Sequence, residues 1–82
     1  MPKKTKRSVK KIEPDIFTQY VIKFQKTVFR VAYSYVKNTA DAEDITQEAF
    51  LRLYRSDECF SSEENVKAWL IKVTANISKK TF

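Results

Sequence analysis

The sequence predicts an all-α protein, a compact three-helix bundle over residues 13–82 behind a disordered basic tail over residues 1–12. Three observations carry this expectation. Apolar residues recur every three to four positions in three separate segments, which is the period of an amphipathic helix. No stretch alternates apolar and polar residues for long enough to form a strand. Residues that start helices stand ahead of each periodic segment. The 82 residues suit one small domain, and helices joined by short loops pack as a bundle.

The first helix starts at Pro14, because proline suits a first turn and Asp15 complements the positive helix end. Phe17, Tyr20, Val21, Phe24, Val28, Val31, Ala32, Tyr35 and Val36 form its apolar face, and Asn38 reads as the stop after Lys37. Thr39 reads as the N-cap of a second helix, with Asp41, Glu43 and Asp44 near its first turn. Ala42, Ile45, Ala49 and Leu53 make its core stripe. Ser56 to Ser62 reads as a loop. Ser61 and Glu64, three apart, suit a capping box for a third helix whose stripe is Val66, Trp69, Leu70, Val73 and Ile77.

Composition excludes several functions. The chain contains no glycine, so it has no glycine-rich phosphate loop or dinucleotide fingerprint. It contains no histidine, the commonest general base and metal ligand. Cys59 is the one cysteine, so an internal disulfide is impossible and a reducing compartment is expected. No nucleophile–base pair is visible, so the protein is expected not to be an enzyme, and neither a cofactor nor a metal site is expected. No apolar run reaches the roughly 20 residues that span a bilayer, and the start of the chain lacks an apolar signal core.

The net charge of +6 is unevenly distributed. Lys3, Lys4, Lys6, Arg7, Lys10 and Lys11 precede the first acid, Glu13. From Glu13 onward basic and acidic residues number ten each. Within that neutral remainder Lys37–Glu64 carries −5 and Asn65–Phe82 carries +4. The tail suits nucleic-acid binding by counterion release or a solubilising terminus.

Two outward faces carry the functional reading. At 100° per residue, the second helix presents Asp44, Gln47, Glu48, Leu51 and Arg55 opposite its core stripe. An apolar centre among acids suits a basic protein partner, and a solvated acidic face with one stray leucine is the plainer reading. On the third helix Asn65, Lys72, Asn76 and Lys79 fall within about 60° of one another. Amines and amides so arranged can follow a phosphate backbone and bond base edges; a solvated lysine face has the same pattern. Phe60 reads either as a loop anchor or as a stacking surface for an unpaired base, with Ser61 and Ser62 beside it. Trp69 lies on the core stripe, where packing competes with base stacking.

The run from Asp41 to Arg55, DAEDITQEAFLRLYR, resembles the second conserved region of bacterial sigma factors, most of all the extracytoplasmic-function group of the sigma-70 family. Phe60 followed by VKAWLIKVTAN over Val66–Asn76 resembles that group's promoter-melting, −10-reading helix, and Val28–Val36 resembles the helix that opens the region. The likeness covers roughly residues 15–82. It implies that Asp44, Gln47, Glu48 and Leu51 dock on the clamp helices of the largest subunit of core RNA polymerase. It implies −10 contacts from Asn76 and Lys79, with Lys72 on phosphate. It also implies a flipped non-template base held by the loop of Phe60, Ser61, Ser62 and Asn65.

The expected function is therefore a transcription initiation module acting in the bacterial cytoplasm at the nucleoid, with an anti-sigma factor as a further partner. The alternative is a sigma-like interaction protein that sequesters polymerase or an anti-sigma factor without reading DNA. A general basic nucleic-acid-binding bundle acting through the tail is a third reading. One departure stands out: the family's second helical domain, which reads the −35 element, is absent from the 82 residues, as expected of an excised domain or of a natural single-domain protein.

Overall fold

The structure is a computed structural model that describes residues 13–58 and 60–81. The expected tail, Cys59 and Phe82 lie outside the described residues. Three helices follow one another: α1 (Pro14–Val36), α2 (Thr39–Arg55) and α3 (Glu63–Thr81). Each packs on both of the others.

Glu13 is extended (φ −71°, ψ 150°) and Pro14 occupies the first turn of α1. The first bond of that helix runs from the Phe17 N–H to the Glu13 carbonyl at 2.8 Å. Phe24, Val28, Ala32 and Val36 are buried at intervals of four, so α1 presents one continuous ridge to the core. Ala32, Ala42 and Ala49 are fully buried, and their short side chains let the helix backbones approach closely. Phe17 lies edge-on to Phe50 (6.4 Å) and Tyr54 (5.0 Å). The start of α1 therefore meets the end of α2, and the two helices form an antiparallel hairpin.

The turn of that hairpin differs from expectation by one residue. Lys37, not Asn38, takes the left-handed conformation that ends α1 (φ 60°), and its N–H bonds the Tyr33 carbonyl. Asn38, not Thr39, is the N-cap of α2, accepting the Asp41 N–H on Oδ1 at 2.8 Å. Its amide nitrogen also donates to the Asp41 carboxylate at 2.9 Å. Asn38 satisfies a helix donor with a planar amide that bonds in two directions, and the backbone reversal passes to its neighbour. In a chain without glycine, a lysine accepts the unfavourable φ.

The cap of α3 also shifts. Ser62, not Ser61, accepts the N–H of the residue three ahead, Asn65, at 3.2 Å. The Ser62 carbonyl accepts the Val66 N–H at 3.3 Å, so Ser62 occupies the cap position. The expected box with Glu64 does not form, because Asn65 is the residue three beyond this cap.

The core is wider than the expected stripes. Phe50 is buried in α2, because a helix that packs on two neighbours buries an arc broader than one stripe. In α3 the buried ridge runs through Val66, Leu70, Thr74 and Ser78 with Ile77, whereas Trp69 and Val73 are half-buried at its flank. The Thr74 hydroxyl donates to the Leu70 carbonyl at 2.6 Å. The Ser78 hydroxyl is fully buried without a hydrogen-bond partner. Removing an unpaired buried hydroxyl relieves a desolvation cost, so Ser78→Ala is expected to stabilise the protein by about 1 kcal/mol. Thermal unfolding checks this, with an expected rise in Tm of roughly 4–8 °C.

Candidate protein and nucleic-acid interfaces

α2 separates its residues sharply. Its buried side carries Ala42, Ile45, Ala49, Phe50 and Leu53. On the other side Asp44, Gln47 and Arg55 are exposed, Glu48 is half-buried and Leu51 is 45% exposed. The outward face deduced for this helix is therefore assembled as expected. Glu48 is not free within it, since its carboxylate accepts the Arg52 Nε–H at 3.0 Å. That pair is i,i+4 and open to solvent, so it adds only about 0.3–0.5 kcal/mol. It also leaves Asp44 as the acid of this face with no ion pair.

Periodicity in α2 alone does not reveal the open groove between α1 and α2. Phe17, Val21, Phe50 and Leu51 line its apolar half. Lys26, Arg30 and Glu43 stand at its charged half, and Gln25, Thr46 and Gln47 border both. Leu51 and Gln47 thus form one lip of a groove rather than a flat patch. The sequence signal was available in α1, where Phe17, Val21 and Gln25 recur every fourth residue.

On α3, Asn65, Lys72, Asn76 and Lys79 are all exposed along the side opposite the buried ridge. Lys79 and Lys80 lie in the last turn and Glu63 and Glu64 in the first, an arrangement that also complements the helix dipole. Asn65 differs from the others in being engaged. Its side-chain amide donates to the Ser61 hydroxyl at 2.5 Å, and its backbone N–H bonds Ser62. It therefore holds the preceding loop in shape.

Three further contacts fix that loop. Phe60 is half-buried with its ring edge-on to Trp69 at 5.8 Å, in the anchor position of its two readings. The Glu58 N–H donates to the Ser56 hydroxyl at 2.8 Å. Lys23 of α1 forms an exposed ion pair with Glu63 at 2.8 Å, which sets the first residue of α3 beside α1. Ser61 and Ser62 are exposed at the loop's tip. The loop is thus a preformed shelf with two hydroxyls, one aromatic wall and an adjoining row of amides and amines.

The family model described as sigma-70 region 2 matches residues 20–82 of the chain. The chain is 32% identical over 78 residues to the ECF RNA polymerase sigma factor SigW of Bacillus subtilis, covering 95% of this chain and 42% of that protein. It is 30% identical over 71 residues to the ECF RNA polymerase sigma-E factor of Escherichia coli K12, covering 87% of this chain and 37% of that protein. Over a shorter span of 50 residues it is 40% identical to the ECF RNA polymerase sigma factor SigE of Mycolicibacterium smegmatis, covering 61% of this chain and 19% of that protein. The chain thus spans less than half the length of these relatives. No solved structure matches it significantly. The matched span and these likenesses agree, and the chain belongs to the sigma-70 family, as a region 2 of the extracytoplasmic-function type.

Proposed function

We propose that this chain is the part of a transcription initiation factor that joins core RNA polymerase to the −10 element of a promoter. The supporting observation is the separation of two exposed faces on different helices. One, on α2, is acidic with an apolar lip at Leu51 and Gln47. The other, on α3, is a row of amides and amines beginning at a braced loop.

On this reading Asp44 and Glu48 orient a basic polymerase element, and Leu51 supplies apolar contact at the groove. The clamp helices of the largest polymerase subunit are the proposed element. Lys72 and Lys79 follow phosphates of the non-template strand, and Asn76 bonds a base edge. Extruding a base costs a few kcal/mol. The shelf of Phe60, Ser61, Ser62 and Asn65 offsets that cost by receiving the base, because Asn65 and Trp69 already hold the shelf in place. Melting is then capture of an opened strand and needs no covalent step. The site of action is the bacterial cytoplasm, where polymerase and promoter meet, and an anti-sigma factor would regulate by covering either face.

The test is binding of a non-template −10 single strand by the chain in the presence of core polymerase. Asn76→Ala and Lys79→Ala are each expected to weaken strand binding about tenfold, consistent with loss of a base or phosphate contact worth roughly 1–3 kcal/mol. Polymerase capture should be unchanged. Full strand affinity in both variants would remove the DNA-reading role from α3 and favour a protein that occupies polymerase without reading promoters.

A further inference from the structure

We propose that the groove between α1 and α2 is a docking site for an amphipathic helix that carries carboxylates beyond its apolar anchors. It is a third surface, separate from the two faces given to polymerase and promoter, although it shares Leu51 and Gln47 with the first.

The relief of the groove is the first observation. Its lining residues belong to α1 and α2, and none comes from α3. On α1, Phe17, Val21, Gln25 and Phe29 follow one another at intervals of four, and on α2 Glu43, Gln47 and Leu51 do the same. Rows spaced by four are the ridges between which another helix packs. The backbone groups of both walls are already bonded within their own helices. An occupant finds no backbone partner here, so it must satisfy its own N–H and C=O groups, as a helix does and a single strand does not. From Phe17 to Arg30 the groove runs about 20 Å at 1.5 Å per residue.

The second observation is its apolar half. Leu51 is 45% exposed, and Phe17, Val21 and Phe29 are half-buried. The Phe29 ring stacks on that of exposed Tyr33, with centroids 6.0 Å apart. The Thr46 hydroxyl donates to the Ala42 carbonyl at 2.7 Å, so its hydrogen is engaged within α2. An apolar strip with a polar rim fits a protein partner better than nucleic acid, whose interfaces are more polar.

Charge is the third observation. Lys26 and Arg30 are exposed on the α1 wall, one turn apart, and neither forms an ion pair among the described residues. No acid occurs in residues 16–37 to offset them, and Glu43 is the one acid lining the opposite wall. Carboxylates complement this pair, and Arg30 can hold one by two parallel bonds. The polymerase element proposed for Asp44 and Glu48 is basic, so it does not supply them. Lys26 and Arg30 lie five and nine residues beyond Val21, about 7.5 and 13.5 Å along the axis. A fitting helix therefore places its carboxylates in the second and third turns from its apolar anchors, on the side turned to α1. Glu43 requires the side turned to α2 to be uncharged or basic.

The experiment uses fluorescently labelled helical peptides of about 16 residues, long enough to hold a helix. One carries leucines at i, i+3, i+4 and i+7 followed by glutamates in the next two turns. A second carries the glutamates ahead of the leucines, which covers both directions in the groove. Each has a counterpart with lysine in place of glutamate. Binding to the chain is read by fluorescence anisotropy. In one direction the glutamate peptide is expected to bind at least about tenfold more tightly than its lysine counterpart. Lys26→Glu with Arg30→Glu should invert that preference while leaving thermal unfolding nearly unchanged, since both side chains are exposed. Leu51→Ala should weaken both peptides of that direction.

Equal affinity for glutamate and lysine peptides would overturn the proposal and reduce the groove to an apolar patch. So would the absence of binding in both directions, or a preference that survives the charge reversal. A thymidine oligonucleotide is the remaining probe. If it binds, no peptide does, and the charge reversal releases it, nucleic acid occupies these cations and the proposal is wrong. The polymerase reading fails separately. Capture that responds to Asp44→Lys with Glu48→Lys while no peptide binds keeps polymerase on α2 and removes the acidic helix from the groove. Charge-selective peptide binding, with capture indifferent to those two substitutions, does the reverse.

Discussion

Leu53→Ala is expected to lower stability by about 3 kcal/mol, within the 2–5 kcal/mol of buried leucine truncations. Leu53 is fully buried in α2, in the core shared by all three helices. A small domain has a narrow margin, because its thin core leaves only several kcal/mol of net stability. The variant should therefore unfold well below the wild-type temperature and lose polymerase and strand binding together. Leu51, two residues away and 45% exposed, is the internal control. Leu51→Ala should change stability by less than about 0.5 kcal/mol, while weakening polymerase capture through the groove lip. Chemical denaturation of both variants checks the pair. Equal stability losses would mean that α2 is rotated relative to the packing described.

Asp44→Lys combined with Glu48→Lys is expected to weaken capture of core polymerase at least about tenfold, since like charges facing each other across an interface cost several kcal/mol. The fold should survive. Asp44 is exposed and unpaired, and breaking the Glu48–Arg52 pair costs a few tenths of a kcal/mol. Asp57→Lys with Glu58→Lys makes the same change in net charge in the loop. Capture measured at low and physiological salt should fall for the α2 variant and hold for the loop variant. Undiminished capture in the α2 variant, or equal loss in both, would remove the polymerase contact from this face.

These two expectations differ in how visible they are from the residues alone. The outward position of Asp44, Gln47 and Leu51 follows from counting 100° per residue away from Ile45, Ala49 and Leu53. That count needs no neighbour. The burial of Phe50 does need one, because it depends on α1 lying across that flank with Phe17. Polar identity hides burial in the same way. Thr74 and Ser78 continue the four-residue ridge of Val66 and Leu70, yet they look like surface residues until the other two helices cover them.

The angular order of side chains around each helix, the segregation of charge between segments and the likeness to the family are all readable from the residues alone. Periodicity and charge are properties of one strand of residues, and they are complete before any packing occurs. Helical period leaves open which neighbouring residue caps each helix and which side chains of different helices meet. Lys37 took the left-handed turn because Asn38 was committed to Asp41. Asn65 became a brace for Ser61, and the α1–α2 groove gave Leu51 a lip to stand on. The two cap contacts are local, three and four residues apart, and turn on which of several adjacent polar residues takes the cap; the groove needs side chains of α1 and α2 side by side, and those distances exist only once the two helices have packed.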